Sequence, residues 1–265
     1  MPIFFAIIIL GIVQGLTEFL PVSSSGHLVL LSKFFGVEES LFLSIILHVA
    51  TLLSIFVVLR KKILYYFKHP LSDGVRKLIV ASIPTCIIVL LLMPILNQSF
   101  DGVFLPYCFM ITSVILAATD MLFSNQVFKP LKKFVIDEKF SGITYKQAFF
   151  MGVAQGFAVF PGISRSGSTI CAGVMAGGNK SVIAEFSFLM SIPIIILSLI
   201  KEVYEIITLK MPINVDVPSL IIAFLLAFII GVFAIKIMIN LTKKLNFLWF
   251  SIYLAALSIL TFFII

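Results

Sequence analysis

The stretch that decides the fold is residues 14–27, which read Gln-Gly-Leu-Thr-Glu-Phe-Leu-Pro-Val-Ser-Ser-Ser-Gly-His and lie inside the apolar run 2–36. Gln14 and Glu18 are four residues apart, so they share one face of a helix. Pro21 ends that helix, and a run of serines followed by glycine precedes the next one. Non-helical backbone at membrane depth needs protein or a wet cavity around it. We therefore predict a re-entrant helix–turn–helix hairpin, which enters the membrane and returns to the side from which it came.

A second stretch repeats this pattern in the other half of the chain. Residues 160–169 read Phe-Pro-Gly-Ile-Ser-Arg-Ser-Gly-Ser-Thr, within the interrupted apolar run 143–180. At an offset of 141 residues, positions 11–26 and 152–167 share 7 identities in 16 positions without a gap. The shared residues are Gly11, Gln14, Gly15, Phe19, Ser23, Ser25 and Gly26 with their counterparts. The chain is therefore predicted to contain an internal repeat with one hairpin in each half.

The composition around these stretches is typical of a membrane protein. Of 265 residues, 61% are hydrophobic and only 12% are charged, against roughly 25% charged in a soluble domain. So few charges cannot cover a soluble fold, which excludes a cytosolic enzyme, a disordered chain and, despite the net charge of +7, a nucleic-acid binder. Six further apolar runs each approach the ~20 residues that a membrane span needs. They are 41–59, 78–96, 103–124, 182–200, 219–239 and 247–265.

Basic residues give the expected orientation. They cluster between Arg60 and Lys77, between Lys129 and Lys146, and from Lys236 to Lys244, all of which the positive-inside rule assigns to the cytoplasm. The first hairpin then enters from outside and the second from the cytoplasm. We expect an all-α polytopic membrane protein with six transmembrane helices and two re-entrant hairpins in an inverted-topology repeat. It would be one membrane domain, 1–265, with repeat 1 at about 1–124, a cytoplasmic connector at about 125–142 and repeat 2 at about 143–265.

The two turns carry groups that suit an anion. A serine-rich turn at a helix N-terminus offers hydroxyls, N–H groups and a positive dipole end. Glu18 is a carboxylate within the membrane, which by default indicates a functional site, and His27 follows in the first turn of the next helix. The fork-shaped guanidinium of Arg165 suits phosphate. Two alternatives stay open: the serines serve helix packing, and Arg165 forms a structural salt bridge with Glu18.

Together these residues predict a membrane-embedded site for a lipid phosphate, with an acid/base group or nucleophile at hand. The oxygens of Gln14 and Glu18 could also hold a hard cation such as Mg²⁺ or Ca²⁺. Candidate phosphate-binding residues are Ser23, Ser25, Gly26, Ser164, Ser166, Gly167 and Thr169. His48, in the first full span, either lines the cavity or bonds a neighbouring helix.

At this point the chain resembles a known family, the undecaprenyl-diphosphate phosphatases of the bacitracin-resistance type. The resemblance lies in the two motifs, 14–27 and 161–169, and extends to Tyr145-Lys-Gln-Ala148 and Glu185-Phe-Ser-Phe188. It covers essentially the whole chain. It implies a fold with two re-entrant hairpins in an inverted repeat, often dimeric, in the plasma (inner) membrane of a bacterium.

The resemblance also implies an activity. Family members remove the terminal phosphate of a C55 polyprenyl diphosphate at the outer face of the membrane, with a divalent cation, and so recycle the lipid carrier for cell-wall synthesis. It implies that Glu18, Ser24, His27 and Arg165 carry the reaction, and that Ser164, Ser166 and Thr169 support phosphate binding. Many members have Glu where this chain has Gln14, so metal binding or proton transfer depends more on Glu18.

Several alternatives stay open from the sequence. Ser24 could attack after His27 removes its proton, or His27 or Glu18 could activate water directly. A lipid transporter that moves polyprenyl phosphate between leaflets would use the same repeat architecture and the same arginine. A carrier has no need of an acid/base group, so Glu18 and His27 beside the serines favour an enzyme.

Overall fold

The computed structural model describes residues 2–37, 41–96, 102–123, 142–209, 216–242 and 246–264. Over these ranges the chain is helical, with no β-strand. The predicted cytoplasmic connector, about 125–142, lies outside the described residues except for Gly142.

Eleven helices occur within the described ranges. They are α1 (Ile3–Thr17), α2 (Ser24–Phe35), α3 (Leu41–Val58), α4 (Arg60–Lys68), α5 (Asp73–Leu96), α6 (Leu105–Phe123), α7 (Tyr145–Phe157), α8 (Arg165–Met175), α9 (Lys180–Leu209), α10 (Val217–Leu241) and α11 (Leu248–Ile264). Each of the six apolar runs predicted as spans falls on one helix, namely α3, α5, α6, α9, α10 and α11.

Four of these helices, α5, α6, α9 and α10, are long and apolar enough to cross a membrane. The pair α3 and α4 provides a fifth candidate, with a bend of 81° between the two helices, and α11 is a shorter apolar helix. The prediction of an all-α polytopic membrane protein is therefore confirmed.

Both hairpins contain helices that are too short to cross the membrane. Helices α1 and α2 have 15 and 12 residues, and α7 and α8 have 13 and 11. At about 1.5 Å per residue, α1 extends for roughly 22 Å, less than the ~30 Å of the hydrocarbon core. The breaks fall at residues 18–23 and 158–164, around the two prolines that the sequence analysis identified.

Packing partners are exchanged between the two halves of the chain. The first hairpin packs its helix α1 against α10, and the second packs its helix α7 against α5. Glycines make both contacts close: a methyl group on Gly11 would lie 2.6 Å from the carbonyl oxygen of Ala223. A methyl group on Gly152 would lie 2.7 Å from the carbonyl carbon of Ala81. These two glycines, which are 141 residues apart, therefore have the same role in the two halves: each allows the backbones of two helices to come into contact.

Hydroxyl groups join the last helices of the two halves. Ser113 on α6 donates to the carbonyl of Ser251 on α11 at 2.8 Å, and Ser251 donates to the carbonyl of Ser113 at 2.8 Å. Ser258 adds a bond of 2.7 Å to the carbonyl of Pro106. Serine hydroxyls are common links between membrane helices because no water competes for them. These bonds fix the register of α11 against α6.

We predict that Gly152→Ala destabilises the bundle by about 1–3 kcal/mol, because the added methyl group meets the backbone of α5 rather than a flexible side chain. Thermal unfolding of the detergent-solubilised protein measures this change. The half-buried neighbour Val153 provides a control, and Val153→Ala should cost less. An unchanged unfolding midpoint in Gly152→Ala would contradict the close contact between α5 and α7.

Candidate active site

The two breaks touch each other directly. The backbone N–H of Gly162, in the second break, donates to the hydroxyl of Ser23 in the first at 3.1 Å. The hydroxyl of Ser166 donates to the carbonyl of Leu20 at 2.8 Å. As a result, the N-termini of α2 and α8 lie side by side in the middle of the bundle.

Ser23 is the N-cap of α2 and has an unusual backbone. Its φ of 67° makes it the one non-glycine residue with a positive φ in the described part of the chain. Its hydroxyl accepts from the N–H of Gly26 at 3.3 Å as well as from Gly162. Its carbonyl accepts from the backbone N–H of His27 at 3.2 Å. A conformation of this kind persists only where its surroundings hold it, and such positions cluster at functional sites.

Ser164 caps α8 in the corresponding way. Its hydroxyl accepts from the N–H of Gly167 at 3.1 Å, which repeats the bond from Gly26 to Ser23. Thr112 on α6 supports this turn, since its hydroxyl donates to the carbonyl of Gly162 and accepts from the N–H of Ser164, both at 3.1 Å. The sequence analysis did not include Thr112, because a threonine within an apolar span gives no local signal of this contact.

Because the caps use the N–H groups of Gly26 and Gly167, the N–H groups of the two residues before each glycine remain for other partners. The first two residues of each helix come before the first intrahelical bonds. These are Ser24 and Ser25 in α2, and Arg165 and Ser166 in α8. Two helix N-termini with four such N–H groups make a favourable environment for an anion.

Glu18 and Arg165 form a salt bridge across the two hairpins. The side chain of Glu18 is 3% exposed and that of Arg165 is 20% exposed, so the arginine lies nearer the opening. Glu18 also accepts from the hydroxyl of Ser24 at 2.5 Å and from the amide of Gln14 at 3.0 Å. Four of the predicted site residues thus meet at one carboxylate. The salt bridge uses only part of the guanidinium, which has five donors.

His27 lies beside this group but does not contact Ser24. Its Nδ1 is 2.7 Å from the carbonyl oxygen of Ser23, and its Nε2 is 2.6 Å from the hydroxyl of Tyr253 on α11. The carboxylate of Glu18, and not the imidazole of His27, is therefore the group that accepts the hydrogen bond from the hydroxyl of Ser24. Tyr253 was missed by the sequence analysis, since it lies in an ordinary apolar span 226 residues further on.

The remaining predicted residues are placed around this centre. Ser25 lies 3.4 Å from Ser23, hydroxyl to hydroxyl. Thr169 is turned away from the opening, since its hydroxyl donates to the carbonyl of Arg165 at 2.8 Å and lies 2.6 Å from that of Ser187 on α9. His48 on α3, whose role the sequence left open, has its Nδ1 2.9 Å from the carbonyl oxygen of Ser44 in the same helix.

Oxygen atoms that could hold a cation are present but few. The side-chain oxygen of Gln14 is buried and has no hydrogen-bond partner, although its amide nitrogen donates to Glu18. Across the described ranges, no group of three or more His, Cys, Asp or Glu side chains could hold a metal ion. A hard cation such as Mg²⁺ is often bound by one or two carboxylates together with substrate phosphates, so Gln14 and Glu18 stay candidates for holding one.

Comparison with known proteins gives matches over almost the whole chain. The family described as bacitracin resistance protein BacA matches residues 7–260. An undecaprenyl-diphosphatase of Parabacteroides distasonis is 39% identical over 269 residues, which cover 97% of this chain and 96% of that protein. One from Bacteroides thetaiotaomicron is 39% identical, covering 93% of each chain, and one from Carboxydothermus hydrogenoformans is 37% identical, covering 96% and 95%. The chain therefore belongs to the bacitracin resistance protein family.

Proposed function

We propose that this chain is an undecaprenyl-diphosphate phosphatase. It hydrolyses the terminal phosphate of the C55 lipid diphosphate, returns the monophosphate carrier to cell-wall synthesis and thereby confers bacitracin resistance. The observation that carries this proposal is the meeting of Glu18, Ser24 and Arg165 between two helix N-termini. Relatives that align over more than nine-tenths of the chain bear the name undecaprenyl-diphosphatase.

The proposed topology has six spans and two re-entrant hairpins in an inverted repeat, within the plasma membrane. The exchanged packing of α1 on α10 and α7 on α5 supports the repeat. Basic residues between the spans support a cytoplasmic location for those loops, so the first hairpin opens to the outer face. The resemblance supports a homodimer, which we include in the proposal.

The proposed binding mode follows from charge. The diphosphate binds where the N–H groups of Ser24, Ser25 and Ser166 come before the intrahelical bonds, and Arg165 contacts the transferred phosphoryl group. Such fixed donors stabilise the charge that develops in phosphoryl transfer. The apolar helices around the hairpins accommodate the polyprenyl chain. Arg165 therefore forms its salt bridge with Glu18 in the free enzyme and also contacts the phosphate in the complex.

The proposed reaction has two steps. The oxygen of Ser24 forms a bond to the terminal phosphorus, and the bridging P–O bond breaks, so that the lipid monophosphate leaves with the electron pair. Glu18 takes the proton of Ser24, as their bond of 2.5 Å allows. Water then attacks the phosphoserine, Glu18 returns the proton to Ser24, and phosphate leaves with the protons of the water. In this scheme His27 is not the base.

We also propose a divalent cation, held by Gln14, Glu18 and phosphate oxygens. Its chemistry would be to neutralise charge on the diphosphate. The unpartnered oxygen of Gln14 supports this assignment.

The first prediction concerns Arg165. We expect Arg165→Lys to lower kcat/KM by about 10²–10³-fold, because an ammonium lacks the planar fork that stabilises the transferred group. Phosphate release from C55 diphosphate by purified protein in detergent measures it. Arg60→Lys, at the exposed start of α4, should behave like the native protein. No release by well-folded native protein would overturn the proposed enzyme, and a leaflet-exchange assay in vesicles would then test the lipid carrier.

The second prediction concerns Ser24. Acid quenching during turnover of substrate labelled in the terminal phosphate should leave label on Ser24, and Ser24→Ala should abolish both label and turnover. Glu18→Gln should reduce turnover by about 10²–10⁴-fold, as expected for the loss of a general base. If Ser24→Ala keeps native turnover and no label is trapped, water attacks directly.

The third prediction concerns the cation. A chelator should abolish phosphate release, and added Mg²⁺ or Ca²⁺ should restore it. Gln14→Glu adds a second carboxylate, so we expect the half-saturating metal concentration to fall by about ten-fold. The matched control is Gln147→Glu, because Gln147 forms a capping box on α7, a motif in which both glutamine and glutamate occur. Full activity in the presence of chelator would exclude the cation from the mechanism.

A further inference from the structure

We propose that Tyr253 is a positioning residue of this site. Its hydroxyl holds the imidazole of His27 in one orientation, and His27 in turn holds the strained turn at Ser23 that presents the N-terminus of α2. This proposal deepens the proposed function. Its test by phosphate release rests on that function, whereas its test by NMR of the histidines does not.

The hydrogen bonds define the tautomer. A carbonyl oxygen can only accept, so the bond of 2.7 Å between Nδ1 of His27 and the carbonyl of Ser23 requires a proton on Nδ1. In the neutral ring Nε2 is then an acceptor, and the hydroxyl of Tyr253 donates to it at 2.6 Å. The carbonyl of Ser23 therefore decides which ring nitrogen carries the proton, and Tyr253 bonds the other nitrogen.

Aromatic packing fixes the orientation of the imidazole. The ring of Tyr253 lies nearly parallel to that of His27, with centroids 5.7 Å apart and planes inclined by 10°. Phe109 on α6 meets the same imidazole edge to face at 5.7 Å. Rings from α6 and α11 thus hold the imidazole while its two nitrogens are hydrogen-bonded. A rotation that brought Nε2 towards Ser24 would break the bond to Tyr253.

The strained turn is the part of the site that this arrangement supports. The carbonyl of Ser23 accepts two N–H groups of His27, from the backbone at 3.2 Å and from the ring at 2.7 Å. Holding Ser23 at a φ of 67° directs the chain into α2, where Ser24 is the first helical residue. The path from Tyr253 to His27 to Ser23 therefore connects α11 with the nucleophile and the anion-binding N–H groups.

The position of Tyr253 is itself well defined. It follows Ser251 by two residues, and Ser251 is bonded to Ser113 in both directions at 2.8 Å. Because those bonds fix the register of α11, the hydroxyl of Tyr253 has a fixed place relative to His27. Tyr253 is 46% exposed, so a substitution there removes little packing.

The first test is nitrogen NMR of the full chain with ¹⁵N-labelled histidine, which gives few signals because the chain has 3 histidines. In the native protein His27 should show the Nδ1–H tautomer. Tyr253→Phe should keep that tautomer but shift the Nε2 signal, because Nε2 loses the hydrogen bond from Tyr253. Tyr145→Phe is the matched control, because the hydroxyl of Tyr145 also donates a hydrogen bond, to Asp73 at 2.7 Å, far from this site. Its His27 signals should be native.

The second test is phosphate release by the same three proteins. We expect kcat of Tyr253→Phe to fall by about ten-fold, the loss that one hydrogen bond of ordinary strength produces, and Tyr145→Phe to match the native enzyme. An Nε2–H tautomer in the native protein, or an unchanged Nε2 signal or unchanged turnover in Tyr253→Phe, overturns the positioning role. If the native protein releases no phosphate, the proposed function fails, while the Nε2 signal still decides whether Tyr253 positions His27.

Discussion

Burying the carboxylate of Glu18 is the constraint on which the rest of the site depends. An ionised carboxylate at membrane depth is costly unless a cation and hydrogen-bond donors surround it. The cation is Arg165, 147 residues further along the chain, and the donors are Ser24 and Gln14. The two hairpins must therefore meet tip to tip, since only that arrangement supplies all these partners. Removing one partner would leave a buried charge without compensation, which destabilises a protein far more than replacing the whole ion pair with apolar residues does.

Close backbone contact makes this meeting possible. Gly11 against α10 and Gly152 against α5 allow each broken helix to lie within the bundle. Serine and threonine hydroxyls then satisfy carbonyl groups that no water can reach, as Thr85 on α5 does for the carbonyl of Gly152 at 2.8 Å. The same small residues that could have served packing alone therefore also set the geometry of the site. The two explanations of the serine-rich motifs are not exclusive.

Much of the centre could be predicted from single residues and their spacing. Glu18 and Arg165 were identified because charges within apolar runs are rare and need a reason. The capping roles of Ser23 and Ser164 follow from a hydroxyl residue before a helix, and the repeat offset of 141 relates them. The salt bridge was considered only as an alternative to phosphate binding, yet one guanidinium can serve both.

What the sequence by itself determined is the class of protein, the places where the helices break and the kinds of group gathered there. These properties are local: they depend on hydrophobic runs, on prolines, and on which residues stand before a helix. The direction of His27 and the roles of Thr112 and Tyr253 were decided only by the tertiary structure. The physical reason is that a hydrogen bond between residues 226 positions apart depends on how two helices pack, and the sequence of neither helix indicates which helix it packs against.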